Sequence, residues 1–458
     1  MQTSVAIMTQ LDNWESSVQR HNRVILLGIV LFATLLYALT FYPQVVGTDD
    51  TTYLIAARAL ASGVGLHWMD VQGYPPFTLS PPGYPLLLTP GAWLFPDPPK
   101  LISAAQLVGV LSALAFIPLI YWTLTRLMKL SALTSLLITL WMAVSTQTIY
   151  LAAQSIMSDP AYVVFSLVAI GLVERYQQSH TTVNRWWVLS AVSIAWVATL
   201  RTAGLPLVLA AVLYLSLRRQ IRQGIALAAF AGVLLLPWTL WTAMNGATPY
   251  LGIYSEQFQM SQWLVDYRRV TGPEDIMKRV LTNAWAHVHD SMALGLFPTL
   301  TGPNVTGWMD THGLGWVAWA IGLTISALAL IGYVHSLGQK QLLIGIYGFF
   351  YVGLILLPPW VTPRNVYPIY PFLLAYMAFG ADWIVVRWKP KREQWGKVGI
   401  WLVLGLMIVS SLVSDRHRIQ VAQQYRTTGW SDWSVKDWTM PQAAEWIRAN
   451  TSPDALSN

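Results

Sequence analysis

The 458-residue chain contains no cysteine, and only 11% of its residues are charged. Without Cys there is no disulfide framework, no Cys-ligated zinc and no thiol nucleophile. The scarcity of charge excludes more. Soluble globular proteins carry about 25% Asp, Glu, Lys and Arg, more than twice the share found here. With 55% hydrophobic residues and a mean hydropathy of +0.46, this rules out an ordinary soluble enzyme, a disordered protein and a nucleic-acid binder. No repeat of fixed period, heptad or low-complexity tract is present, and the two halves show no evident similarity, which argues against an inverted-repeat transporter. What is abundant is Trp, 24 residues, a ring that sits at membrane–water boundaries. The composition is that of a polytopic membrane protein.

A helix needs roughly 20 mostly apolar residues to cross the hydrocarbon core. Segments of that kind lie at about 24–42, 102–124, 132–151, 160–173, 186–200, 202–217, 224–244, 313–334, 341–358, 366–386 and 398–413. The expectation is therefore an all-α integral membrane bundle of about eleven spans, in which 186–200 and 202–217 are two short helices meeting at Arg201. The first span follows Arg20, His21 and Arg23 and has no small-residue cleavage site after it, so it is read as retained. With the N-terminus in the cytoplasm, fifteen of the 28 Lys and Arg fall in about 66 residues of short inside loops, against thirteen in roughly 190 outside. Residues 1–413 then form the transmembrane unit, with long outer loops at about 46–101 and 245–312, and 414–458 form an outer tail. The polar mass faces away from the cytoplasm, as in a bacterial plasma-membrane protein working on its outer face.

The first outer loop opens with Gly47-Thr48-Asp49-Asp50-Thr51-Thr52-Tyr53. Thr48 or Asp49 can cap a helix whose pattern suits the membrane surface. Two adjacent carboxylates at the end of a span have a second use. Desolvation raises a carboxylate's pKa and a nearby cation holds it ionised, and either makes a general base. Capping and catalysis are both open from the residues alone. His67 is a lone histidine without partner spacing. Pro75, Pro76, Pro81, Pro82 and Pro85 argue against helix or central strand and for a stiff extended connector. Ser158 or Asp159, followed by Pro160, makes a well-formed helix start; the other reading turns Asp159 toward Asp49 across a shared outer cleft. Arg201 and Arg364 lie at the same end, and a guanidinium fork suits phosphate, although snorkelling and pairing with an Asp would also account for them. In the loop 245–312, Ser255–Leu264 and Asp275–Leu294 read as helices, with Tyr267, Trp285, His287, His289 and Asp290 along an acceptor groove. His287 and His289 point to different helix faces, so no metal site is read there. Two Asn-x-Thr/Ser triplets match a pattern too common to use.

The acidic pair with Tyr53 just after the first span, the Ala/Leu surface helix and the run Pro81-Pro82-Gly83-Tyr84-Pro85-Leu86-Leu87 resemble the GT-C glycosyltransferases, closest to protein O-mannosyltransferases and lipid A aminoarabinose transferases. In that family the first acidic residue of the loop is catalytic, which implies Asp49. The usual Glu is Asp50 here, and Ser80 stands where aminoarabinose transferases carry a phosphate-contacting Lys. The loop Arg364-Asn365-Val366-Tyr367-Pro368 resembles the family's but departs from its usual Arg-Tyr. The resemblance implies an inverting transferase that moves one sugar from a polyprenyl-phosphate donor to an acceptor hydroxyl on a protein, lipid or glycan. Asp49 would be the base, Asp50 and Asp159 supporting acids, Arg364 and Arg201 donor-phosphate ligands, and Tyr53, His67 and Tyr84 substrate-loop residues. Neither a cofactor nor a divalent metal is indicated, and nucleic acid is not a partner. In many bacterial members an outer domain opens with a helix like 441–450 and continues with a strand; here the chain stops at Asn458, so the domain is lost or the sequence is truncated. The competing reading is a non-catalytic transporter or handler of lipid-linked glycans, and a structural scaffold is a third. A transporter should place charges in mid-span, whereas here they gather at one face.

Overall fold

The computed structural model describes residues 2–45, 47–179, 184–246, 272–301, 309, 311–337, 341–359, 361–388 and 393–428. The helices in order are α1 (Gln2–Thr40), α2 (Thr48–Ala61), α3 (Gly83–Leu94), α4 (Pro98–Trp122), α5 (Ala132–Val144), α6 (Thr146–Ala153), α7 (Asp159–Gln178) and α8 (Arg185–Leu200). They continue with α9 (Leu205–Leu217), α10 (Ile221–Asn245), α11 (Pro273–His289), α12 (Trp316–Ser336), α13 (Leu342–Ile355), α14 (Tyr370–Trp388) and α15 (Glu393–Thr428). No β-strand occurs among the described residues; one isolated bridge joins His67 and Pro76.

Each of the eleven apolar segments coincides with a helix or helix pair, but the count of eleven crossings is not confirmed. Among the described residues six helices are long and apolar enough to span a bilayer, or seven if the bent pair α5–α6 is one span. Helices α8, α9 and α13 have 16, 13 and 14 residues, short of the roughly 20 a lone span needs. The expected single span 132–151 is broken at Ser145, whose hydroxyl accepts from Thr148 N at 3.2 Å and so caps α6; the two halves bend by 50°.

The Pro-rich stretch also differs from expectation. Residues 66–77 fold back on themselves, with Trp68 N to Pro75 O and Phe77 N to Leu66 O both at 2.9 Å. The chain then enters α3 at Gly83, with Pro85 in its first turn, where the missing N–H would have had no helical partner anyway. Helices α2 and α3 are not simply laid on a surface. Tyr53, Ala57, Tyr84 and Leu88 form a small core with Ile156, Ala161 and Leu200.

The main core is rich in tyrosine: Tyr37, Tyr162, Tyr347, Tyr351, Tyr367 and Tyr370 are among the largest fully buried side chains. Their hydroxyls are satisfied inside the bundle, as a low-dielectric interior requires. Tyr37 donates to Ala143 O at 2.8 Å, Tyr351 to Asn365 O at 3.0 Å and Tyr370 to Ser291 O at 3.0 Å. Small residues bring helices into contact, as in membrane bundles generally. A Cβ on Gly332 of α12 would lie 1.9 Å from Tyr376 O of α14, and one on Gly380 of α14 would lie 2.0 Å from Leu328 O.

Candidate active site

The start of α2, the start of α7, the α8–α9 junction and the segment before α14 meet at one end of the bundle, and each delivers a charge. Asp49 lies in the first turn of α2, whose N-cap is Gly47 with no side-chain cap bond. Asp159 opens α7 behind Ser158, which also makes no side-chain cap bond. Neither carboxylate is used as a cap. Arg364 donates from Nη2 to Asp49 Oδ2 at 2.7 Å, and its Nε is 3.9 Å from Asp159 Oδ2. Arg201 donates from Nη1 to Asp159 Oδ1. The result is a continuous chain of alternating sign, Asp49–Arg364–Asp159–Arg201.

Exposure is graded along that chain. The Asp49 side chain is 39% exposed, Arg364 29%, Arg201 15% and Asp159 1%. Asp159 is thus a deep anchor flanked by two guanidinium groups, and Asp49 is the most exposed member of the chain. Asp50, next in sequence, is fully buried. The segment carrying Arg364 is a short 3-10 turn, Pro363–Asn365, held from below by the Tyr351 hydroxyl on Asn365 O. Arg201 lies over the Tyr162 ring at 5.9 Å, and the Tyr162 hydroxyl is 3.0 Å from that of Tyr347.

Of the other expected site residues, Tyr53 and Tyr84 are brought together. Their rings meet edge to face at 4.9 Å, and the Tyr53 hydroxyl is 3.4 Å from Ser158 Oγ, beside Asp159. Burial pushes the Tyr84 phenol well up, with Tyr53 and the carboxylates of Asp50 and Asp159 adding to the effect. His67 stands with other neighbours: its ring packs on Trp241 at 5.6 Å, and the Trp241 indole in turn donates to Phe77 O at 2.9 Å. In the later loop, α11 covers most of the expected helix 275–294, which closes with a π-helical turn over Asp290–Leu294. His287 Nδ1 lies 2.8 Å from Ser291 Oγ, and His289 Nδ1 2.7 Å from Asp290. Tyr267 and the segment 255–264 lie outside the described residues, as do both Asn-x-Thr/Ser triplets.

Sequence reading misses two participants. Met157 sets its sulfur 3.1 Å from Arg364 Nη1. Arg418 of α15 donates to Gln154 Oε1 and lies over the Tyr150 ring at 5.5 Å, with the buried Asp415 one turn earlier on the same helix. Residues 415–428 read as tail, which hides Arg418, yet α15 runs without interruption through Thr428. No group of three or more His, Asp or Glu suited to a metal ion occurs among the described residues. The Arg364 guanidinium lies between the Asp49 and Asp159 carboxylates.

The fold has known counterparts. The chain superposes on the Archaeoglobus fulgidus oligosaccharyltransferase in complex with zinc and sulfate with a TM-score of 0.58, at 13% identity, over 95% of this chain and 57% of that one. The oligosaccharyltransferase AglB from the same organism, with an inhibitory peptide and a dolichol-phosphate, gives 0.57 at 13% identity, over 96% and 60%. ArnT from Cupriavidus metallidurans bound to undecaprenyl phosphate gives 0.52 at 14% identity, over 94% and 81%. No family model matches the sequence, and no curated protein does. The chain has the fold of the GT-C membrane glycosyltransferases and spans under two thirds of the length of its archaeal counterparts.

Proposed function

We propose that this protein is an inverting glycosyltransferase that moves a sugar, hexosyl or pentosyl, from a polyprenyl-phosphate donor to an acceptor hydroxyl of a protein, lipid or glycan. The observation that carries the reading is the Asp49–Arg364–Asp159–Arg201 chain at one end of a GT-C-type bundle. The lipid phosphates bound by the structural counterparts support a polyprenyl-phosphate donor, and the Lys and Arg distribution supports an extracytoplasmic site in a plasma membrane, with a cytoplasmic N-terminus. Residues 1–413 would carry catalysis, and 414–458 would begin an outer tail.

In this mechanism the acceptor oxygen attacks the anomeric carbon while its proton passes to an Asp49 carboxylate oxygen. The anomeric C–O bond breaks, and its electron pair leaves with the lipid phosphate. In the free protein the Asp49 carboxylate is occupied by Arg364, whose Nη2 donates to its Oδ2 at 2.7 Å. Arg364 also has a better partner once a donor arrives, since phosphate accepts its paired N–H donors. Donor binding then draws Arg364 from Asp49 to the phosphate and frees the Asp49 carboxylate oxygen to take the acceptor's proton. Asp159 and Arg201 keep Arg364 in place, and Asp50, Tyr53 and Tyr84 line the wall behind it. As phosphate charge develops, Arg364 stabilises it without reorganisation.

The test uses the purified chain in nanodiscs with radiolabelled polyprenyl-phosphate sugars and membrane acceptors. Asp49→Asn should lose about 10²–10⁴-fold in turnover, the range for a general base, while still binding donor. Turnover by Asp49→Asn at the wild-type rate would remove Asp49 from the mechanism. If wild type neither binds nor consumes any donor, the transferase reading fails.

A further inference from the structure

A second concentration of charge lies at the opposite end of the bundle. Glu174 is fifteen residues along α7 from Asp159, about 22 Å at 1.5 Å per residue. Around it is a cavity of about 410 Å³ lined by Arg126, Lys129, Glu174, Tyr214, Arg218 and Gln341. Three cations thus face one carboxylate. Glu174 is already satisfied on one oxygen by the Tyr214 hydroxyl at 3.0 Å, and Arg218 lies over the ring of that tyrosine at 5.4 Å. Gln341 is 5% exposed. Its Nε2 donates to Met128 O, while the buried Oε1 of this cavity-lining residue finds no hydrogen-bond donor among the described residues.

Beside this cavity lies a second one of different character, the two sharing part of one wall. A groove of about 530 Å³, lined mainly by Leu119, Trp122, Leu167, Leu172 and Trp186 with Arg175 at its side, shares Leu127, Glu174 and Gln178 with it. A basic chamber side by side with a largely apolar groove suits an amphiphile with an anionic head. The backbone is arranged for the cations. Lys129 and Arg219 have φ of 61° and 62°, the left-handed position after a helix end that glycine normally fills. Here each is basic, one lining the cavity and one adjoining it. The turn that leads to Lys129, Thr123–Leu127, is π-helical, a form that clusters at functional sites.

We propose that these two cavities bind an acidic glycerophospholipid whose headgroup carries free hydroxyls. Arg126, Lys129 and Arg218 take its phosphate, Gln341 Oε1 accepts a headgroup hydroxyl, and an acyl chain lies against Leu119, Leu167 and Leu172. The Lys and Arg counts assign this end to the cytoplasm, where the leaflet is anionic and basic pockets between helices select acidic lipids. The site is separate from the carboxylate–arginine chain and does not depend on the transferase reading.

The experiment is native mass spectrometry of the full chain with phosphatidylglycerol, phosphatidic acid, phosphatidylcholine and free glycerol 3-phosphate. Wild type should retain one phosphatidylglycerol at least tenfold more tightly than phosphatidylcholine, with phosphatidic acid between them and free glycerol phosphate not retained. Arg126→Gln/Lys129→Gln/Arg218→Gln should abolish the preference over phosphatidylcholine, and Gln341→Leu should lose only the preference over phosphatidic acid. The three basic side chains are exposed at their tips, and equal thermal unfolding of the triple variant in detergent checks that it folds. Equal retention of phosphatidylglycerol and phosphatidylcholine by wild type overturns the proposal. So does an unchanged preference in the folded triple variant, and retention of free glycerol phosphate as tight as the lipid would show an anion site without a lipid.

Discussion

At the scale of single residues, Asp159 bears the most. At 1% exposure its charge is tolerable only because guanidinium groups stand on both sides. Deleting one partner of a buried pair typically costs about 3–5 kcal/mol, because the survivor is left uncompensated. Arg201→Ala leaves Asp159 with Arg364 alone and should destabilise the protein by up to about that amount, while Arg201→Ala with Asp159→Asn should cost clearly less than the sum of the single changes. Thermal or denaturant unfolding of the two single variants and the double variant measures the coupling; strict additivity would mean that the pair is not a unit. Asp49, at 39% exposure, should behave differently, with Asn there costing little stability and most of its effect appearing in turnover. Much of this was legible in the sequence. Asp49, Asp159, Arg201 and Arg364 all stand out as charges at the ends of apolar segments, where charge is expensive. That each arginine is held by a carboxylate was not legible, since pairing depends on which segment ends meet in space. Met157 carried no signal, because a methionine beside a span is ordinary until its neighbour is known.

At the scale of elements, the helices were readable and their interruptions were not. Length and hydropathy mark every apolar segment, but Ser145 in the middle of 132–151 is equally acceptable inside a membrane helix and as a cap. Only its bond to Thr148 N decides for the break. Pro85 was misleading in the opposite direction, because five prolines in a short stretch argue for extended chain although one of them sits in a first helical turn. The packing of α12 on α14 shows what glycine does in these elements. With the Tyr376 carbonyl 1.9 Å from where a Cβ on Gly332 would be, any side chain there must push the helices apart along their contact. Gly332→Ala should cost about 1–3 kcal/mol, the usual penalty of overpacking. Gly348 of α13 has nothing within 4 Å of the same position, so Gly348→Ala should be neutral or stabilising by up to about 1 kcal/mol through helix propensity. Comparing unfolding midpoints of the two variants in one detergent tests the difference, and equal losses would contradict it.

At the scale of the whole molecule, the first and last described helices are tied together beside the candidate site. Helix α15 has 36 residues, about 54 Å in length, far more than the roughly 30 Å of a hydrocarbon core. Its excess is used: Arg426 donates to the carbonyls of Ala38 and Phe41, favourable charge at the C-terminal end of α1, and Tyr425 packs on Tyr42 at 5.2 Å. Gln154 is the knot of this arrangement. Its Oε1 accepts from Arg418, its Nε2 donates to Thr40 O at 3.3 Å, and its carbonyl accepts from Gln44 at 2.7 Å. One buried amide therefore joins α1, the link into α2, the end of α6 and α15, and it does so five residues before Asp159. Gln154→Leu removes the neutral acceptor from the half-buried Arg418 guanidinium, a loss of about 1.5–3 kcal/mol for a charged hydrogen bond. Because several elements share the residue, the loss should not stay local. Hydrogen exchange should accelerate together at the end of α1, along 44–50 and around 415–420, while α12 and α14 keep wild-type protection. Acceleration confined to α6 would show that Gln154 packs its own helix and does not join the ends of the chain, and the approach of Asp49 to Asp159 would then need another support.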